Sequence, residues 1–223
     1  MSKNREKECC IFIFRRDLRI YDNRGFIHAI NNYDLIIPVF IFTPEQIDSK
    51  KNKYHSNNSV KFMIESLTDL SNDLKKKYGC KLHYFYGDNI DVLTRIICEL
   101  RELRENKKNI GCCIKKCSVV FNMDYTPYAR KRDNDIHNIC DKLSDDNKMI
   151  VICEMIEDYI LSNKIGDFNK PTTLCKDPYT VFTPFRNNAL KVIASNNGDY
   201  IKDWCGDDLY KNQRRTNVVL QKQ

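Results

Sequence analysis

Charged residues cluster directly after the first apolar run of the chain. The run CCIFIF leads into RRDLRIYDN, which contains Arg16, Asp17, Arg19 and Asp22. Guanidinium and carboxylate groups at such a turn pair with each other and cap the next helix, or they bind a ligand. We favour the structural role and keep direct ligand contact as the alternative.

A second group of candidate residues follows two later apolar runs. Phe42 and Thr43 stand at the end of LIIPVFIF, Asp124 and Thr126 come just after SVVFN, and Asn58 lies in the loop after TPEQI. Their carbonyl, hydroxyl and carboxylate groups suit the edge of a heteroaromatic ring, and Phe42 suits its face. For Asp124 an equal alternative is a structural role, as an acceptor in the turn before Thr126.

The elements that would position these residues are five short apolar runs separated by helical patterns. The runs are 9–14, 35–42, 82–86, 118–122 and 149–153, and the helical patterns are 24–30, 60–78, 90–105 and 127–143. In the clearest helix, Val60, Ile64, Leu67, Leu70, Leu74 and Tyr78 form one apolar stripe, with Ser59 as the predicted N-cap and Gly79 as the end. Thr126 is the predicted N-cap of the helix at 127–143.

This alternation predicts a doubly wound, five-stranded parallel sheet of the Rossmann-like class, with helices on both faces. Ligands bind such sheets at the carboxyl ends of the strands. We expect an α/β domain at 1–155, a partly irregular connector at 156–200 and an irregular tail at 201–223. The first turn lacks the glycine-rich fingerprint, which argues against a conventional NAD site.

Composition excludes several other classes. The 223 residues include 42% hydrophobic and 30% charged ones, as in a globular protein. No apolar stretch is long enough for a membrane span, and the first residues do not resemble a signal peptide. Eleven cysteines are an odd number at irregular spacing, so we expect reduced thiols in the cytosol or nucleus. Cys112, Cys113 and Cys117 lack the spacing of a zinc site.

Four segments carry a resemblance to a known family. FIFRRDLRIYDNRGF, IFTPEQI, FNMDYTPYARKRD and DPYTVFTPFRNNAL occur in the order and spacing typical of DNA photolyases and cryptochromes, over roughly the first 190 residues. The chain is therefore identified as similar to the amino-terminal α/β antenna domain of that family. The large helical domain that holds FAD in the family has no counterpart in this sequence, so the resemblance implies no catalytic residue and no FAD on this chain alone.

The resemblance also implies which ligand would bind at the carboxyl ends of the strands. Family members with a deazaflavin antenna carry an acid that matches Asp124 and a second acid where this chain has Thr126. The positions that bind a folate antenna correspond here to Lys50 or Lys51, Tyr128 and Ala129, which makes folate the less favoured ligand. A flavin-type or deazaflavin-type antenna is the expected cofactor.

The expected partner is a separate FAD-binding photolyase half. The net charge of +7 is dispersed, so DNA binding should be weak and nonspecific. A nucleotide-binding sensor or enzyme and a degenerate interaction remnant are the alternatives.

Overall fold

The structure is a computed structural model that describes residues 6–105, 113–158 and 180–195. The described residues belong to two units, one up to Ile156 and one from Glu157 onward. The predicted tail at 201–223 lies outside the described residues, and the predicted domain limits stay predictions.

The first unit alternates strands and helices. Its strands are β1 (Glu6–Phe14), β2 (Leu35–Phe42), β3 (His83–Tyr86), β4 (Cys113–Asn122) and β5 (Ile150–Ile156). Its helices are α1 (Arg24–Asn32), α2 (Pro44–Ile47), α3 (Asn57–Tyr78), α4 (Asn89–Glu105) and α5 (Pro127–Leu143). The second unit contains α6 (Phe182–Ser195), within a segment that the sequence predicted as connector. Among the described helices, none combines the length and apolar character that crossing a membrane requires.

The five strands form one parallel sheet in the order β3-β2-β1-β4-β5, which confirms the predicted fold. Side chains of β1 alternate between two cores: Ile11 faces α4 and α5, whereas Phe12 faces α1 and α3. Central parallel strands are buried on both faces, which is why their sequences are continuous apolar runs.

Helix α3 departs from its prediction at the amino end. It begins at Asn57 after the N-cap Ser56, so the prediction of Ser59 as the cap was wrong. Full burial starts only at Leu67, Met63 packs partly against the core, and Ile64 on the predicted stripe is 51% exposed. The helix has 22 residues, about 33 Å of length, and no side chain in its first two turns is fully buried.

A buried amide network fixes the turn after β1. The Asn122 Nδ2 group donates to Asp17 Oδ2 at 2.5 Å and to Asn23 Oδ1 at 2.8 Å, and Asn122 Oδ1 accepts from the Gly25 backbone N–H at 2.8 Å. Asn23 caps α1 by accepting from the Phe26 N–H at 3.0 Å. A structural role was predicted for the charged residues of this turn. The network shows that role for Asp17.

The close approach of β4 to α1 requires glycine at position 25. A Cβ atom there would lie 2.4 Å from Asn122 Oδ1 and 3.1 Å from the Phe12 ring. These distances are shorter than van der Waals contact, so any larger residue displaces the amide network.

A second polar cluster ties α1 to the edge strand β5. Glu154 accepts from the Tyr33 hydroxyl, contacts His28 Nε2 at 2.8 Å and accepts from the Ser118 hydroxyl at 3.2 Å. Burial raises the pKa of Glu154, but the hydrogen bonds from Tyr33 and His28 outweigh it, and the pKa is lowered overall. Burial, and then the bond to Glu154, raises the pKa of Tyr33.

Our first prediction concerns Gly25. Alanine normally stabilises a helix by about 1 kcal/mol relative to glycine, but Gly25→Ala should destabilise this protein by about 1–3 kcal/mol through the contact with Asn122. Urea unfolding measures the difference, with Asn31→Ala on the exposed side of α1 as the control. Because Asn122→Ala removes the clash, the double variant should be less destabilised than the sum of the two single variants. A stabilised Gly25→Ala protein would contradict the prediction.

Our second prediction concerns pH. A carboxyl group with a lowered pKa in the folded state stabilises the protein above its unfolded pKa of about 4.3 and loses that contribution as pH falls through the folded pKa. The parent should therefore lose stability more steeply between about pH 5 and pH 3 than Glu154→Gln does. Urea unfolding across this range tests it, with the exposed Glu102→Gln as control. Parallel pH profiles for parent and Glu154→Gln would refute the assignment.

Candidate functional site at the strand crossover

The candidate site lies where the order of the strands reverses. Strands β1 and β4 are neighbours in the middle of the sheet, yet α1 follows β1 on one face and α5 follows β4 on the other. The connections that follow the two strands therefore diverge at their carboxyl ends, where sheets of this class usually bind ligands in a crevice.

Asp124 and Thr126 lie together at the end of β4. The Asp124 side chain is 13% exposed and pairs with Arg16 Nη2 at 3.0 Å. Asp124 Oδ1 also accepts from the Thr126 N–H at 3.3 Å, and Thr126 caps α5 by accepting from the Ala129 N–H at 3.3 Å. The predicted cap and the structural alternative for Asp124 are thus both observed, while ligand binding by Asp124 stays a prediction.

Phe42 and Thr43 lie at the end of β2, on the other side of β1 from β4. Phe42 is partly exposed and stacks on Tyr84 of β3 with the ring centroids 6.2 Å apart. Thr43 precedes α2 as its N-cap, and its N–H donates to Gln46 Oε1 at 3.3 Å. The Thr43 hydroxyl is buried without a hydrogen-bond partner.

Asn58 does not occupy the predicted position ahead of α3. It is the second residue of that helix and is exposed. The structure therefore brings together Asp124 with Thr126, and Phe42 with Thr43, but places Asn58 in the first turn of α3. The error in the helix start accounts for the difference.

Two arginines and one aspartate form a buried cluster that the sequence interpretation did not include. Asp133 Oδ1 accepts from Arg15 Nη1 at 2.8 Å and from Arg132 Nε at 2.9 Å. The Arg15 guanidinium also lies 3.9 Å from the centre of the Phe121 ring. Burial, and then the neighbouring charge of Arg132, lower the pKa of Arg15 to about 10, against the opposing effect of Asp133.

A signal for this cluster was present in the sequence. The buried face of α5 consists of Ala129, Asp133, Ile136 and Cys140, at steps of four, three and four residues. A carboxylate within an apolar stripe must be paired, because an unpaired buried charge is too costly. Arg15, directly after β1, was the available cation.

The described residues contain no group of three or more His, Cys, Asp or Glu side chains arranged to hold a metal ion. Cys113 and Cys117 lie in β4, and Cys112 lies outside the described residues.

Comparison with known proteins assigns the chain to a family. The family profile for DNA photolyase matches residues 10–199. Cryptochrome-1 of Aedes aegypti is 31% identical over 136 residues, 58% of this chain and 22% of the relative. The deoxyribodipyrimidine photo-lyase of Buchnera aphidicola is 27% identical over 184 residues, 82% of this chain and 33% of the relative.

Solved structures agree in fold. An archaeal photolyase from Sulfolobus tokodaii, described as containing two FAD molecules with the implication of a novel light-harvesting cofactor, superposes with a TM-score of 0.60 at 33% identity. That match covers 82% of this chain and 35% of the archaeal one. A cryptochrome from Synechocystis, at 17% identity and a TM-score of 0.59, shares the fold, and 86% of this chain and 35% of the cryptochrome are covered.

This chain thus spans about a third of the length of these photolyases. The matched region contains four of the five strands completely and the carboxyl half of β1, with the crossover between β1 and β4. Sequence profile, relatives and fold agree: the chain belongs to the DNA photolyase and cryptochrome family and contains the α/β domain of that family.

Proposed function

We propose that this α/β domain binds a flavin-type or deazaflavin-type antenna chromophore at the carboxyl ends of β2 and β4. The observation that carries the proposal is the position of Asp124, a largely buried carboxylate at the strand crossover whose partner, Arg16, is 63% exposed. A donor of the ligand would take the place of this guanidinium, which lies mostly in water, and the Asp124 carboxylate would remain paired.

The remaining predicted residues fit the two sides of such a ring. Phe42 offers an apolar face beside the Tyr84 ring, and the Thr43 hydroxyl is a buried group that lacks a partner. Asp124 would accept from ring or ribityl donors, with Thr126 as a weaker contact. Asn58, exposed in the first turn of α3, would contact only a ligand that extends beyond the crevice. A mostly apolar pocket with a few polar groups is usual for such ligands.

The similarity to the archaeal photolyase supports a flavin in particular, because that protein is described as carrying a second FAD with a light-harvesting implication. Folate remains the less favoured ligand, since Tyr128 and Ala129 occupy its expected positions. The proposed partner is an FAD-binding photolyase half on a separate chain. It would receive the excitation that the antenna absorbs and carry out the electron transfer to DNA.

Two further parts of the proposal concern DNA and compartment. Contacts with DNA should be weak, nonspecific and sensitive to salt, because the positive charge is dispersed.

The seven cysteines whose side chains are described carry free thiols, which supports a reducing compartment, the cytosol or nucleus.

Our third prediction tests the chromophore site. The parent should bind FMN or a deazaflavin analogue, measured by fluorescence quenching, and Asp124→Ala should weaken that binding roughly tenfold or more. The expected loss is that of a hydrogen bond to a charged group, about 1.5–3 kcal/mol. Asp146→Ala, which removes an exposed carboxylate elsewhere, is the matched control and should bind as the parent does. Unchanged affinity in Asp124→Ala, or no binding by the parent at tens of micromolar, would refute the site.

A further inference from the structure

Two buried guanidinium nitrogens at the strand crossover have no hydrogen-bond acceptor. They are Nη2 of Arg15 and Nη2 of Arg132, whose side chains are only 13% and 17% exposed. A buried donor without an acceptor destabilises the folded state, and native proteins contain few of them. Two such donors on neighbouring side chains therefore need an explanation.

The two nitrogens belong to one local cluster. Arg15 and Arg132 both donate to the same oxygen, Oδ1 of Asp133, so their guanidinium groups lie next to each other. Each group also lies over an aromatic ring, Arg15 over Phe121 at 3.9 Å and Arg132 over Tyr128 at 5.8 Å. These contacts hold both guanidinium planes in place. One acceptor group of the right size could serve both free nitrogens.

The carboxylates near the cluster are already engaged. Asp133 Oδ1 serves both arginines, and Asp124 pairs with Arg16. The Asp17 carboxylate accepts from the backbone N–H of Arg15 at 2.9 Å and from the side-chain amide groups of Asn23 and Asn122. None of these carboxylates accepts from either Nη2 group, and an acceptor from outside this set of residues would complete both.

We propose that Arg15 and Arg132 form an oxyanion subsite of the crevice, which takes the phosphate of a phosphorylated flavin. Arginine suits this role because its planar fork matches the oxygens of a phosphate. Both nitrogens are sealed from solvent, so one covering side chain must move when the phosphate enters. In the proposed binding mode that side chain is Tyr128, which is 57% exposed and has its ring 5.8 Å from the Arg132 guanidinium.

The subsite deepens the proposed function and rests on it for the identity of the ligand. The ring of the chromophore would lie toward Asp124, and its phosphate would lie beneath Tyr128, at the start of α5. The preferred antenna is then FMN, or a dinucleotide with the same phosphate, in preference to unphosphorylated riboflavin.

Our fourth prediction uses inorganic phosphate and two flavins as probes. Phosphate should raise the melting temperature of the parent by about 3–6 °C over chloride at equal ionic strength, as expected for a ligand at roughly ten times its Kd. Arg132→Gln should abolish this shift, and Lys131→Gln, which removes an exposed charge from the adjacent position of α5, should retain it. The parent should bind FMN at least about tenfold more tightly than riboflavin, and in Arg132→Gln the two affinities should become similar.

The outcomes separate this inference from the proposed function. Equal phosphate shifts in all three proteins, or equal affinity of the parent for FMN and riboflavin, would overturn the subsite while leaving a flavin site intact. If no flavin binds, the chromophore proposal fails, and a phosphate shift specific to Arg132 would still support the oxyanion subsite. Should Arg132→Gln fail to fold, Arg132→Lys keeps the charge but loses the planar fork, and a reduced phosphate shift is expected.

Discussion

At the carboxyl end of β4, the Asn122 amide uses both its NH2 group and its oxygen to join three segments of the chain. It holds Asp17 in the turn after β1, Asn23 at the cap of α1 and the backbone of Gly25 in the first turn of that helix. This arrangement is needed because β1 and β4 are neighbours whose following helices go to opposite faces of the sheet. The hydrogen bonds of the Asn122 side chain fix the angle at which the connections after β1 and β4 diverge. That angle determines the shape of the proposed site.

The sheet could be predicted from the sequence because each central strand is buried on both faces and is therefore an unbroken apolar run. The start of α3 could not, since the stripe from Val60 to Tyr78 shows that an apolar face exists but not that a core covers it. The sequence interpretation therefore placed Asn58 in the loop before the helix, whereas it is the second residue of α3. The role of Asn122 was also missed, because an amide at the end of a strand has no partner visible in the linear sequence.

The charged residues around the crevice balance in number but not in hydrogen-bonding capacity. Three arginines (15, 16 and 132) face three aspartates (17, 124 and 133). Each guanidinium has five N–H donors, and much of the acceptor capacity of Asp17 is used by backbone and amide groups. A count of charges would call this region neutral and complete. Two buried donors, Nη2 of Arg15 and Nη2 of Arg132, nevertheless have no acceptor, and the proposed oxyanion would supply one.

The ion pairs of the crevice also differ in how readily they can exchange partners. The pair of Arg15 with Asp133 is buried on both sides, and breaking it would leave an uncompensated buried charge at a cost of about 3–5 kcal/mol. The pair of Arg16 with Asp124 has one partner largely in water, so little is lost when another donor replaces the guanidinium. In the proposed binding mode the first pair keeps the site assembled while the second gives way to the ring of the ligand. A site with one permanent and one exchangeable pair can remain folded when empty and still offer a carboxylate to a chromophore.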